Sequence, residues 1–233
     1  MRLFIMKFFF FINLLICCTA VFALPPQRVA CIGDSITFGS GIKDRARYSY
    51  PVQLSKMLGR KYIVKNYGIG GRTLLKKGDY PYWKTMQYKR ALSWKPNIVI
   101  IKLGTNDTKL KNWKYHTELE KDLTDLANSF TSLSSKPKVF LALPIPSFIN
   151  GKSISGSRIR DGVIPVIKKV AKKLNLPIID FYTRMLDKKA MLIDKIHPNK
   201  QGAFEIASEA FKAITGKSFE LTFNDFVKKT NKK

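Results

Sequence analysis

Five short apolar runs, separated by long crossovers, constrain this chain more than any other feature. They are 28–36 (RVACIGDSI), 62–67 (YIVKNY), 97–103 (NIVIIKL), 138–143 (KVFLAL) and 177–181 (PIIDF). Each has the length of a strand, and the third is rich in β-branched residues. Strands joined by such long connections lie parallel, and a parallel sheet must be covered on both faces. Helical patterns supply the cover at 49–59, closed by Gly59, and at 118–133, apolar at Leu119, Leu123, Leu126, Phe130 and Leu133. Two more run over 157–174, where Pro165 marks a start or a kink, and over 201–214. The basic tail to Lys233 receives no firm assignment. Right-handed crossovers then predict an α/β fold, a three-layer α/β/α sandwich on a five-stranded parallel sheet. There is no internal repeat and no linker, so residues 24–233 are expected to form a single domain.

The first 23 residues read differently. Met1, Arg2 and Lys7 precede an uncharged apolar run from Phe8 to Ala23, and Val21-Phe22-Ala23 supplies an end with small residues. This predicts a secretory signal peptide over 1–23 and a periplasmic or extracellular location. A retained anchor is the competing reading, and a lipoprotein signal at Cys17 or Cys18 is disfavoured by the bulk of Ile16. Loss of the leader leaves Cys31 alone, with no intramolecular disulfide in the mature chain. Formal charge is +26, or +24 without Arg2 and Lys7. The basic residues are mostly scattered lysines, with no arginine-rich arm or zinc-finger spacing. A solvated surface is the plain reading, nucleic acid is not expected as a partner, and electrostatic attraction to anionic surfaces is the secondary expectation.

Ligands of open α/β sheets sit beyond the carboxyl ends of the strands, and four polar clusters fall there. They are Gly33-Asp34-Ser35, the glycine-rich 66–73 (NYGIGGRT), Gly104-Thr105-Asn106-Asp107, and 194–199 (DKIHPN). Alone, each is ordinary turn chemistry. Together they contain what acyl transfer needs: a nucleophile, a base, an orienter for the base, and oxyanion donors. Ser35 offers the hydroxyl. Of the two histidines, His116 has no carboxylate pattern around it, whereas His197 follows Asp194 by three residues. Pro198 biases His197 towards extended backbone, so Asp194 can fold back to its Nδ1 and leave Nε2 as the base. A loop glycine N–H and the Asn106 amide are the oxyanion candidates. The G-x-S-x-G elbow of other serine hydrolases is missing.

These four blocks, in this order, resemble the SGNH hydrolases, the GDSL esterase/lipase superfamily, over about 28–214. The resemblance implies a flavodoxin-like fold and a Ser–His–Asp hydrolase with no metal or other cofactor. It implies Ser35 as nucleophile, His197 as base, Asp194 as its partner, and an oxyanion hole from the Ser35 N–H, the Gly71 N–H and the Asn106 side chain. Gly71 fits the family frame of Asn66, Gly71 and Thr73; Gly70 is second. Ile36 replaces the family's usual leucine, a conservative change. Asn106-Asp107-Thr108 also matches a glycosylation sequon, taken as accidental. Asp34 is left as loop scaffolding.

Exported single-domain members resemble carbohydrate O-acetylesterases, sialate O-acetylesterase-like proteins among them. The expected function is a secreted serine esterase acting on O-acetyl esters of carbohydrates, with a small-molecule or oligosaccharide ester as partner. Competing readings are a lysophospholipase or thioesterase, and a non-catalytic, basic glycan- or surface-binding protein. Tyr80, Tyr82, Trp83, Tyr88 and Trp94 either stack on sugars or pack the domain's own edge.

Overall fold

The computed structural model describes residues 24–231; the leader expected at 1–23 lies outside them. The five strands are β1 (Gln27–Gly33), β2 (Tyr62–Gly68), β3 (Ile98–Lys102), β4 (Lys138–Ala142) and β5 (Ile178–Ile179). All pair in parallel, in the order β2-β1-β3-β4-β5. Alternation along each strand splits the core in two. Ala30, Ile32, Val99, Ile101, Val139 and Leu141 share one face with helices Leu119–Thr131 and Ile164–Leu174. Val29, Cys31, Ile100, Phe140 and Ile179 share the other with helices Tyr50–Leu58 and Lys200–Thr215. Cys31 is a core residue: burial pushes its thiol up to about 12, so it stays protonated and inert.

This order matters because the helix after β1 covers one face and the helix after β3 covers the other. The chain therefore parts between the ends of two adjacent strands, which opens the crevice where such sheets bind ligands. Ser35 leaves β1 there, and Gly104 leaves β3.

Several boundaries differ from the sequence reading, each for a local reason. β1 stops at Gly33 rather than Ile36, because the Asp34 carboxylate accepts the Ile36 N–H at 3.0 Å and caps a helical turn, Ser35–Phe38. Gly39, at φ 91°, closes that turn in the left-handed region. β5 shrinks to Ile178–Ile179, since Asp180 caps the following helix Phe181–Met185 through the Thr183 N–H. The helix expected over 157–174 is present and continuous, but it widens into a π turn over Ile159–Val163 before Ile164–Leu174, with Pro165 at the start of the latter. Helix Met86–Ser93 lies in the segment expected to be a loop; it is short and polar, and among its residues only Ala91 is buried. Helix Phe223–Asn231 forms in the basic tail, where its Phe226 joins Phe204 and Phe219.

The β1 end is packed too tightly for any side chain. A Cβ on Gly33 would overlap Thr37 Oγ1 and lie 2.7 Å from the Lys102 carbonyl oxygen. Gly33→Ala is expected to destabilise the protein by at least about 1–3 kcal/mol through overpacking, measured by urea denaturation. Unchanged stability would show that the turn yields freely.

Candidate active site

Ser35 meets two side chains from a loop more than 150 residues away at the β1 end. Ser35 Oγ lies 2.8 Å from His197 Nε2, and His197 Nδ1 lies 2.6 Å from Asp194 Oδ2. With Nδ1–H donated to the carboxylate, Nε2 carries the lone pair that accepts the Ser35 hydroxyl proton. The other Asp194 oxygen accepts the backbone N–H of His197 at 2.7 Å and of Ile196 at 3.0 Å. Burial acts to raise the Asp194 carboxyl, but the bonds and charge from His197, with the Ile196 N–H, outweigh it and hold it below the ordinary carboxylate value. Asp194 therefore stays ionised at neutral pH. The loop is shaped for this contact: Lys195 takes φ 68°, and the Ile193 N–H donates to the His197 carbonyl at 2.8 Å.

The oxyanion candidates come from two loops that touch each other. Asn106 Nδ2 donates to the Arg72 carbonyl at 3.1 Å, which fixes the amide with its NH2 towards the Gly70–Gly71 loop. Gly71 holds φ 75°, in the left-handed region that favours glycine. Asn106 is 6% exposed, so a glycan has no room there. Asn66 ties the second loop to the first: its Nδ2 donates to the Thr37 carbonyl at 2.8 Å, and its Oδ1 accepts the Gly68 N–H at 2.9 Å. His116 is elsewhere, exposed and stacked on Trp113 with ring centroids 4.9 Å apart.

Two residues carry more than the sequence reading gave them. Asp34 is not only loop scaffolding. Both its oxygens lie 3.0 Å from Lys102 Nζ, and both side chains are fully buried. Lys102 also donates to Thr105 Oγ1 at 2.8 Å. Burial pulls the Lys102 ammonium below its ordinary value, while the Asp34 carboxylate opposes the loss of charge. Asp107 accepts the N–H groups of Leu75 at 2.7 Å and Leu74 at 3.1 Å. Burial raises its carboxyl to about 6, against the pull of those N–H bonds, so it is ionised at neutral pH. Lys102 had a readable signal: a lysine ending an apolar run buried on both faces needs a buried counter-charge. The aromatic-rich segment divides. Tyr82 is buried with its hydroxyl on the Tyr67 carbonyl, Trp83 donates to the Leu74 carbonyl, and Tyr88 and Trp94 pack on Phe130 and Tyr67. Tyr80 stays 53% exposed.

A serine–imidazole–carboxylate chain at the carboxyl edge of a flavodoxin-like sheet is the architecture of the SGNH hydrolases. The chain belongs to the GDSL-like Lipase/Acylhydrolase family, whose sequence model matches residues 31–203. It is 44% identical over 205 residues to an acetylxylan esterase of Xylanibacter ruminicola, across 80% of this chain and 43% of that protein. It thus spans less than half the length of that relative. Among solved structures it is similar to Est24, a carbohydrate acetylesterase from Sinorhizobium meliloti: TM-score 0.66, 17% identity, 82% of this chain and 99% of that one. It is also similar to a catalytic mutant of Axe2, an acetylxylan esterase from Geobacillus stearothermophilus: TM-score 0.64, 21% identity, 82% of this chain and 95% of that one. At such identities the structural likeness speaks for the fold.

Lys102→Met leaves Asp34 buried and unpaired. It should cost about 3–5 kcal/mol in urea denaturation. A loss below about 1 kcal/mol would mean that water or another cation reaches Asp34.

Proposed function

We propose that the protein is a carboxylic ester hydrolase that removes O-acetyl groups from carbohydrates through an acyl-enzyme. The observation that carries the chemistry is the bonded chain from Ser35 Oγ through His197 to Asp194. The acetyl group and the sugar are supported by the 44% identity to a protein named as an acetylxylan esterase.

Ser35 Oγ attacks the ester carbonyl carbon as His197 Nε2 takes the hydroxyl proton. Asp194 keeps the imidazole in the right tautomer and stabilises the imidazolium. The carbonyl oxygen becomes an oxyanion, met by the N–H groups of Ser35 and Gly71 and by the Asn106 amide. Collapse breaks the bond to the sugar oxygen, which takes the proton from His197, and leaves acetyl-Ser35. Water then repeats the sequence: His197 removes its proton, the ester to Ser35 breaks, and acetate leaves as Ser35 recovers its proton. A backbone donor on the nucleophile's own residue is well placed here, since Ser35 opens a helical turn. Export by a leader at 1–23, to the periplasm or the exterior, belongs to the same proposal and is supported by the composition of that segment.

The test is turnover of p-nitrophenyl acetate at neutral pH. Ser35→Ala and His197→Ala should each lower kcat by about 10⁴-fold or more with the circular dichroism spectrum unchanged. Asn106→Ala should lower it by about 10²–10³-fold. A silent wild-type protein would leave only a binding role. Preference for decanoyl over acetyl esters would transfer the chain to the lysophospholipase or thioesterase reading.

A further inference from the structure

A groove beside the Gly70–Gly71 loop takes no part in the chemistry above. It begins at Ile69 and Arg72, which flank that loop, and encloses about 790 Å³, within the roughly 300–1,000 Å³ of ordinary ligand sites. Its wall carries Arg72, Lys76, Lys77 and Lys84 against one carboxylate, Asp79. These charges differ in what they have already spent. Lys76 is paired with Asp122 and Asp125, and Lys77 with Glu118. Asp79 is held by Lys109 at 3.2 Å and Lys111 at 2.9 Å, so it does not neutralise the groove.

Arg72 stands apart. Among the described residues no carboxylate pairs with it, and its buried Nε has no hydrogen-bond partner. A guanidinium normally spends its donors, and a buried donor left unspent is costly unless something else takes it. The same guanidinium lies 5.3 Å from the centroid of the Tyr80 ring, the one aromatic of this segment that stays largely exposed. The Arg72 backbone is joined to the reaction centre, because its carbonyl receives the Asn106 amide. A guanidinium without a carboxylate partner among the described residues, a flat ring and a net positive wall thus sit one residue from the proposed oxyanion glycine.

We infer that this groove is a subsite for a carboxylate-bearing sugar adjoining the acetylated one. The planar guanidinium fork matches a carboxylate in a way that scattered lysines do not. The Tyr80 face matches a pyranose ring, and the surrounding lysines draw in an acidic chain. The inference rests on the carbohydrate-esterase reading and names the substrate class within it: acetyl esters on uronate- or sialate-containing glycans, which share this recognition chemistry.

The test is binding, read apart from turnover. Full-length Ser35→Ala protein is titrated calorimetrically with a glucuronate-bearing xylo-oligosaccharide, with sialyllactose, and with a neutral xylo-oligosaccharide of equal length. One acidic ligand should bind at least tenfold more tightly than the neutral one, and the tighter of the two identifies the source. Adding Arg72→Gln should shrink that preference to within twofold, while Arg72→Lys should retain part of it. Equal affinity for acidic and neutral ligands, no binding of either acid, or an undiminished preference in Arg72→Gln would each overturn the subsite. Hydrolysis of neutral acetyl esters without acid preference would sink the subsite alone. Acid binding by a protein that hydrolyses no ester would instead sink the esterase reading.

Discussion

The Lys102–Asp34 pair is the interaction on which the site depends. β1 and β3 are neighbours in register, with Gly33 opposite Lys102. The pair therefore bridges the two strand ends where the chain parts, with no exposure of either side chain. An ammonium there without a counter-charge would be very costly, so Asp34 has little freedom to move. The same carboxylate caps the turn that Ser35 opens. On the other side, Lys102 holds Thr105, the residue before Asn106. A covalent step at each end thus joins the hydroxyl to the amide donor: Ser35 to Asp34, across to Lys102 and Thr105, and on to Asn106. The polar network is satisfied within itself, which lets it sit in the core and fix distances.

The second loop is fastened to this unit from two directions. Asn66 ties its entry to the turn after Ser35, and Asp107 grips Leu74 and Leu75 at its exit. The Asn112 amide donates to the Asn106 carbonyl at 2.9 Å and to Asp79 at 2.9 Å, which secures the far side. Three of the four polar clusters therefore form one stiff half. The fourth is braced by its own bonds, from Ile193 to His197 and from Asn199 to Met191, and reaches the rest through the Ser35–His197 contact and through the Phe148 N–H, which donates to the Lys195 carbonyl at 3.0 Å. Orientation matters most where a proton must pass, and the two short bonds lie at that junction.

Much of this was legible in the sequence, and the misses share a cause. β3 and β4 came within a residue or two because a strand buried on both faces must be apolar along its length, whereas the half-exposed edge strand β2 was carried by its β-branched and aromatic residues. That Ser35, Asp194 and His197 could meet was readable because few residue types suit acyl transfer and the chain offers only two histidines; the contacts among them are found, and their roles are the proposal. Helix Met86–Ser93 was hidden because it is short, mostly polar and buries only Ala91, so no apolar run marks it. The need of Lys102 for a counter-charge was readable, but its partner was not: Asp34 lies 68 residues away, and no local pattern records such a pairing. The aromatic segment could not be divided beforehand, because Tyr80 and Tyr82 differ by two positions in an irregular loop and have opposite fates.

That division separates chemistry from selection. Within residues 69–87 the inward side chains, Thr73, Leu74, Leu75 and Tyr82, are constrained by the core and by Asp107. The outward ones, Tyr80 and Lys84, meet no such demand, and substitutions there leave the packed interior alone. A scaffold built this way keeps the Ser35 and Asn106 loops fixed by buried pairs while the neighbouring surface is free to vary. The half-buried Arg72 is the point where the two regimes meet: its backbone carbonyl orients the Asn106 amide, and its side chain faces the groove. Anything that draws that side chain outward acts next to the Asn106 amide, so under the proposed function recognition of a neighbouring sugar and placement of the ester would be mechanically adjacent.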